Sequence, residues 1–456
     1  MERKLFGTDG IRGIANTYPM TAEIALKLGQ AVAKILIKTD QKKTDKKDPP
    51  KVIIGKDTRA SGYIFESALT AGLCSMGVSV YLVGPMPTPA IAHLTKSFAA
   101  DAGIVISASH NPAEDNGIKI FASDGFKLPD AIEQEIESFI LNNNITTDHI
   151  IGDQVGKAFR IEDARGRYIE FAKGTINNIS LKGLKIVLDC ANGAAYKVSP
   201  LIFKELGAEV IVLNNSPNGT NINENAGAMH PEKIKEFVLK NKADIGIALD
   251  GDADRVILVD NKGNIISGDH ILAIIAVYLK DKKKLNKNTI VATIMSNLGL
   301  IQFLKQNNID CIQAKVGDRY VIEEMQKAIL NLGGEQSGHI ILSDYTTTGD
   351  GTIAALQVLQ IMKEKKKSLA ELTSGLKQYP QVIINVDVKQ KKPLEQFPAI
   401  MKKIKEVKQK LGSNGRVLVR YSGTQNCCRV MIEGENKKQV TEYAEQIAAE
   451  IKKYVD

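Results

Sequence analysis

The chain contains no tryptophan, and aromatic residues make up only 5% of its 456 positions. The missing tryptophan carries no functional meaning. The shortage of aromatics matters at the lysine-rich runs 365–367 and 389–392, which lack the interleaved rings of a nucleic-acid surface. No apolar stretch approaches the roughly 20 residues that span a bilayer, so no membrane-spanning helix is expected. The opening Met1-Glu2-Arg3-Lys4-Leu5-Phe6-Gly7 has no apolar signal core, and a cytoplasmic protein is expected. Cysteine is also scarce: five, at 74, 190, 311, 427 and 428, with no Cys-x-x-Cys and no Cys/His zinc spacing. Reduced thiols follow. The net charge of +8 is small for this length and reads as surface solvation, with a mild bias toward anionic ligands.

The hydrophobic share of 43% and charged share of 25% are those of globular proteins, which excludes a disordered chain, collagen or a disulfide miniprotein. At roughly 150 residues per domain the length allows three or four domains. Short β-branched runs at 52–55, 78–83 and 102–107 alternate with helical patterns at 21–37 and 61–76. The cycle returns with strands at 184–189, 210–214 and 245–250 and helices at 197–206 and 231–241. It returns again with strands at 289–294, 312–316 and 340–342 and helices at 269–280, 297–307, 319–331 and 351–363. Such alternation predicts three similar α/β domains with largely parallel sheets, although no internal sequence repeat is visible. The tail differs: strands at 381–388, 416–420 and 428–433 and helices at 393–411 and 437–454 make a smaller α+β domain. The expected domains are 1–157, 158–260, 261–375 and 376–456. The Lys/Asp/Pro-rich 39–50 reads as an exposed loop.

Five motifs could carry chemistry. Ser107-Ala108-Ser109-His110-Asn111-Pro112 ends a buried strand, where α/β folds place their sites, and is followed by Asp115-Asn116-Gly117-Ile118-Lys119. Ser109 would need a base or a metal to act as nucleophile or phosphate carrier; alone, the tetrapeptide is as readily a turn. Asp250-Gly251-Asp252-Ala253-Asp254-Arg255 follows another apolar strand. Its three carboxylates repel one another unless a cation lies between them, and hard oxygen ligands suit Mg²⁺ or Ca²⁺. The spacing excludes an EF-hand, because the sixth position is Arg255 rather than glycine and the twelfth is Asn261 rather than glutamate. In Gly334-Glu335-Gln336-Ser337-Gly338-His339, Glu335 and Ser337 point the same way if extended, which suits vicinal sugar hydroxyls; a plain turn is the alternative. Arg420-Tyr421-Ser422-Gly423-Thr424 with Arg429 offers arginines, hydroxyls and an approachable backbone to a phosphate, or is simply a hairpin. Phe6-Gly7-Thr8-Asp9-Gly10-Ile11-Arg12-Gly13 either presents Arg12 to an anion or forms a turn.

In this order the five motifs closely resemble the α-D-phosphohexomutases, over nearly the whole chain. The start at Arg3-Lys4-Leu5, Gln336, the segment 347–351 and the run 429–434 are similar to the branch acting on amino-sugar phosphates. The resemblance implies three α/β domains of mixed-sheet, three-layer build and a smaller C-terminal domain around one central cleft. It implies exchange of glucosamine 6-phosphate and glucosamine 1-phosphate, feeding UDP-N-acetylglucosamine and cell-wall precursors. A phosphorylated Ser109 and a hexosamine 1,6-bisphosphate intermediate come with it. One Mg²⁺ is implied on Asp250, Asp252, Asp254 and phosphorylated Ser109. His110, Lys119 and Arg255 are the implied candidates for charge neutralisation and proton transfer, and sequence does not choose among them. Glu335, Ser337 and His339 match the sugar loop, and Arg420, Ser422, Gly423, Thr424 and Arg429 the phosphate cradle. The partner is a small sugar phosphate; a homodimer is allowed but not specified.

Two departures stand out. The phosphate loop continues Gln425-Asn426 where the family has Glu-Pro, and 226–230 reads Ala-Gly-Ala-Met-His where the branch has a Gly-Ser pair. Alternatives are a mutase for mannose or glucose phosphates, a phosphatase using Asp250 as nucleophile, and a non-catalytic sugar-phosphate binder.

Overall fold

Val52, Ile53 and Ile54 are fully buried at the centre of the strand Lys51–Lys56, and their alternation builds two layers at once. Val52 and Ile54 pack with Leu28, Val32, Phe65 and Leu69 of the helices Ala22–Asp40 and Gly62–Cys74. The opposite face is covered by the helix Thr88–Ser97: a Cβ at Gly55 would lie 2.3 Å from Ile91 Cδ1 and one at Gly103 2.1 Å from Thr95 Oγ1. The result is a helix–sheet–helix sandwich. The computed structural model from which this comes describes residues 4–7, 9–40, 49–142, 150–422 and 426–455. Most of the expected loop at 39–50 falls outside them.

The same strand arrangement occurs three times. Lys51–Lys56, Ser79–Pro85 and Ala102–Ile106 are parallel, and Asp115–Ala122 returns antiparallel beside the third. Lys185–Asp189, Glu209–Leu213, Ile245–Leu249 and Val256–Asp260 repeat this, as do Thr289–Thr293, Asp310–Ala314, Leu332–Gly334 and Ile340–Leu342. In each set the first strand lies between the second and third, and the antiparallel fourth lies outside the third. The repeat that sequence comparison did not show is thus a repeat of topology. The first sheet gains Phe6–Gly7, Gly10–Ile14 and Ala158–Arg160, and the second Ile265–Ile266.

The antiparallel fourth strands make each sheet mixed, as the resemblance implies, around three parallel strands. Asp115–Ala122 opens with Asp-Asn-Gly and carries a lysine, so it reads as loop, yet Asn116 to Phe121 are buried. The helices Asp130–Leu141 and Ala164–Gly174 were likewise not anticipated. Gly351–Lys365 is buried along most of its length and packs on Gly268–Asp281, as an apolar helix at the centre of a fold does. Asp350 caps it, accepting the Ile353 N–H at 2.9 Å.

These elements belong to one compact unit, Met1–Ile294 with Asp310–Thr373; Met295–Ile309 and Ser374–Asp456 form a second. In the second, Cys427–Glu433 pairs antiparallel with Gln381–Asp387 and Arg416–Tyr421 on its two sides. The helices Pro398–Leu411 and Lys437–Val455 cover one face, packing Ile400, Val407, Val440 and Ile447 on Val386, Val430 and Ile432. The helix expected from 393 begins at Pro398, which suits a first-turn position. The helix Leu298–Gln306 is tied into this unit by Asn297, which exchanges hydrogen bonds with the Tyr379 backbone at 2.9 and 3.0 Å. Among the described residues, no helix is long and apolar enough to cross a membrane.

Candidate active site

Three of the motifs occupy one structural position. Each is the connection between the third and fourth strands of its repeat: 107–114, 250–255 and 335–339. The polar small residues there close a reversal after a buried strand.

Ser109 takes a left-handed backbone, φ 53°, a conformation that costs a non-glycine residue about 1–3 kcal/mol and persists only where surroundings fix it. Its N–H donates to Ser107 Oγ at 2.9 Å, and its hydroxyl donates to Asp250 Oδ2 at 2.7 Å. His110 Nδ1 lies 3.3 Å from the same hydroxyl. Gly251 permits this approach of two sheets, because a Cβ there would lie 2.5 Å from the Ser109 carbonyl oxygen.

Asp250, Asp252 and Asp254 are buried, with one carboxylate oxygen of each within 4.8 Å of the others. Asp252 Oδ2 accepts from Thr88 Oγ1 at 2.7 Å and Lys119 Nζ at 2.9 Å. Lys119 Nζ also lies 3.2 Å from Asp9 and 3.6 Å from Asp254. Asp252 Oδ1 and Asp254 Oδ1 are buried with no hydrogen-bond partner among the described residues. Three convergent carboxylates with two unsatisfied oxygens are the donor set a hard divalent cation requires. Burial, with the Asp254 and Asp252 charges, drives the Asp250 carboxyl well above its ordinary range. Asp254 is held low: burial opposes its charge, but Lys119, His339 and Arg255 outweigh it. Lys119 is shifted up despite burial by Asp252, Asp9 and Asp254, and stays charged. His110 is pushed down to about 4 by burial and then by Arg255.

The hairpin Phe6–Gly7/Gly10–Ile14 lies on the strand carrying Lys119, with Arg12 opposite Gly117. Arg12 pairs with Asp9, and Asp9 with Lys127, which also holds Asp318. Thr8 lies outside the described residues. Glu335 Oε1 accepts the Gly317 N–H at 3.0 Å, and Ser337 Oγ lies 3.5 Å from Oε2. His339, expected beside them as a sugar contact, has both ring nitrogens facing protein. Nε2 accepts the Gly349 N–H at 3.0 Å, and Nδ1 lies 3.7 Å from Asp254. Burial disfavours its charge, but Asp254, Asp318 and Glu335 raise it overall. The Arg255 N–H donates to Asp250 Oδ1 at 3.1 Å, and its guanidinium Nε lies 3.8 Å from Asp254 Oδ1. The departing segment 226–230 backs the metal loop: the Gly227 N–H bonds Asp189 at 3.0 Å, and a Cβ there would lie 2.2 Å from the Leu249 carbonyl oxygen.

In the second unit, Arg420 and Arg429 face each other across neighbouring strands, and Asn385 stands opposite Arg429 on the other side. They line a cavity of about 290 Å³ with Met295, Ile383, Leu418 and Met431, on the sheet face away from the two helices. Two arginines opening on one cavity make it a suitable place for an anionic group. Burial and then Arg429 lower the Arg420 pKa. Ser422 is buried, its N–H bonded to the Cys427 carbonyl at 2.9 Å. Gly423 and Thr424 of the expected cradle, and the departing Gln425, lie outside the described residues.

Sequence reasoning missed Asp9, Thr88, Lys127 and Asp318, whose charges or hydroxyls surround the site. It also missed Asp57 and Arg59, though they follow the strand Lys51–Lys56 as Ser109 follows its own. Asn223, among the scattered asparagines of 214–225, gave no signal.

Known proteins are similar to this chain over nearly its whole length. Four segments match the phosphoglucomutase/phosphomannomutase family: α/β/α domain I at residues 3–146, domain II at 166–263, domain III at 267–379 and the C-terminal domain at 383–450. The chain belongs to this family of phosphohexomutases. Within it, the chain is 54% identical over 454 residues to the phosphoglucosamine mutases of Pelobacter propionicus and Geobacter metallireducens, covering 99% of this chain and of each relative. A solved phosphoglucomutase/phosphomannomutase family structure from Burkholderia thailandensis shares the fold at TM-score 0.78 and 23% identity, over 99% of this chain and 98% of that one. So does Aspergillus fumigatus N-acetylphosphoglucosamine mutase in complex with GlcNAc-6P and magnesium, at TM-score 0.68 and 16% identity, over 100% and 96% of the two chains.

Proposed function

We infer that the protein interconverts glucosamine 6-phosphate and glucosamine 1-phosphate by intramolecular phosphoryl transfer, feeding UDP-N-acetylglucosamine synthesis. The observation that carries the reading is the Ser109 hydroxyl, 2.7 Å from Asp250 and beside the unsatisfied oxygens of Asp252 and Asp254. The full-length phosphoglucosamine mutase relatives support the amino sugar as substrate.

Ser109 carries the phosphoryl group. Its Oγ–P bond breaks as the sugar O1 bonds phosphorus, giving a 1,6-bisphosphate, and the O1 proton passes to a neighbouring base. After the sugar turns, the O6–P bond breaks and the phosphoryl group returns to Ser109, leaving the 1-phosphate. His110, Lys119 and Arg255 are assigned to neutralising charge on the phosphoryl group and moving the proton. Asp250, Asp252 and Asp254 would hold Mg²⁺ with a phosphoserine oxygen. When bound, the ion supplies Lewis-acid polarisation of the phosphoryl group. Glu335 and Ser337 are assigned to the sugar hydroxyls, and His339 to holding Asp254 beside them. Arg12 supplies positive charge at the site. Arg420, Ser422, Gly423, Thr424 and Arg429 are assigned to the phosphate not being transferred. The domains are proposed as 1–157, 158–260, 261–375 and 376–456, the segment Met295–Ile309 belonging to the third in sequence and to the second unit in packing.

³¹P NMR of the protein with Mg²⁺, a trace of hexose 1,6-bisphosphate and each of glucosamine, glucose and mannose 6-phosphates tests this. Fastest growth of the amino-sugar 1-phosphate is expected. Preference for another sugar would move the substrate within the family, and free phosphate or no turnover would overturn the reading.

A further inference from the structure

We propose that Arg59 and Asn223 are positioning residues for Ser109, a two-donor clamp that sets the aim of its hydroxyl through the backbone. This rests on Ser109 being the phosphoryl carrier. Arg59 Nη2 donates to the carbonyls of Asn111 at 2.6 Å and Ser109 at 3.3 Å. Asn223 Nδ2 donates to the same two carbonyls at 3.0 and 2.9 Å. The turn 109–111 is thus gripped from two domains at once. Arg59 rises from the end of the strand Lys51–Lys56, and Asn223 from the loop after Glu209–Leu213.

Neither donor is a general surface contact. Arg59 is fully buried and its guanidinium is paired with Asp57, whose Oδ1 takes the Arg59 N–H at 2.9 Å. Ser107 hydrogen-bonds Asp57 and receives the Ser109 N–H at 2.9 Å, so the same carboxylate steadies both sides of the turn. The Asn223 Oδ1 is buried with no hydrogen-bond partner among the described residues, so the amide serves through its NH₂. The clamped residue holds φ 53°, a backbone conformation that relaxes once its restraints go. Releasing it swings Oγ away from its 2.7 Å contact with Asp250 without touching the substrate's binding groups.

Steady-state kinetics of Asn223→Ala, Asn223→Asp and Arg59→Lys, beside Ser109→Ala, test the clamp. A misplacement of about 1 Å can cost about a hundredfold in rate, so Asn223→Ala should lose about 10- to 100-fold in kcat with KM changed less than about threefold. Asn223→Asp fills the same space but turns an acceptor toward two carbonyls, so it should be slower than the alanine variant. Arg59→Lys keeps the charge, loses the fork and should fall similarly; if it does not fold, the Asn223 pair decides. A loss in KM alone, wild-type kcat, or an aspartate variant no slower than alanine would overturn the clamp. Ser109→Ala separates the failures: dead Ser109→Ala with fully active Asn223 variants sinks only the clamp, whereas active Ser109→Ala sinks the carrier role and the clamp with it.

Discussion

The Ser109 hydroxyl donates to Asp250 Oδ2 across 2.7 Å, joining the loop of the first repeat to the equivalent loop of the second. Neither loop holds both the serine hydroxyl and the three carboxylates, so this cluster forms only when the two repeats are docked. Replacing Ser109 by alanine removes a small, buried hydroxyl and leaves the docking surfaces in place. Turnover should fall at least about a thousandfold, as when a nucleophile is deleted, while the circular dichroism spectrum stays unchanged. A phosphoserine signal in the intact mass should vanish in parallel. Retained turnover would remove Ser109 from the pathway.

The metal loop makes a second expectation. Asp250, Asp252 and Asp254 crowd together, with Lys119 beside Asp252 and Asp254, so a bound divalent ion should stabilise the fold by mass action as well as support turnover. Chelation should abolish activity and lower the thermal midpoint, with Mg²⁺ restoring both. Asp252→Asn keeps the shape but removes the carboxylate's negative charge and replaces one acceptor oxygen with an NH₂ donor. It should need at least about tenfold more Mg²⁺ for half-maximal activity, and its thermal midpoint should respond less to the ion. An unchanged Mg²⁺ requirement would place the metal elsewhere.

How much of this could be read from the sequence depended on where each residue's partners lay. The strands ending at Ile106 and Leu249 announced their loops, because a fully apolar run stops at small polar residues. The return strand Asp115–Ala122 was hidden for the opposite reason. Lys119 and Asn116 look solvent-seeking, and only the carboxylates of Asp9, Asp252 and Asp254 make burial of that lysine tolerable. Two of those three are more than 130 positions away. Buried Arg59 was obscured in part in the same way, since beyond its pair with Asp57 its contacts are carbonyls about 50 residues on. His339 was grouped with Glu335 and Ser337 by proximity in sequence, but the reversal at Gly338, φ 92°, turns its ring to Asp254.

Arg420 and Arg429 offer a test in which stability and function move in opposite directions. Their positive charges stand directly opposite each other in the sheet of the second unit, an arrangement that tends to destabilise a strand pair. Arg420→Gln should leave stability unchanged or raise it by about 0.2–1 kcal/mol, the scale of a cross-strand pair. Its KM for the sugar phosphate should rise at least about tenfold, because a charge-assisted hydrogen bond to phosphate is lost. A parallel loss of stability and activity would instead mark Arg420 as a structural residue.

Acid sensitivity should trace in part to a group remote from the metal loop. His93 stacks on Phe171 with ring centroids 3.7 Å apart, joining the helices Thr88–Ser97 and Ala164–Gly174. Burial, and then the charge of Lys96, push its pKa down to about 4. The unfolded chain, with an ordinary histidine near 6.5, binds more protons than the folded one between about 4 and 6.5. The stabilising contribution of neutral His93 is therefore complete above about pH 6.5 and is lost as the pH falls through about 4. His93→Phe keeps the stack and removes the titration. Urea midpoints measured at pH 7.5 and 5.0 should differ less for His93→Phe than for the wild type. An equal difference in the two proteins would show that protonation of His93 does not oppose folding.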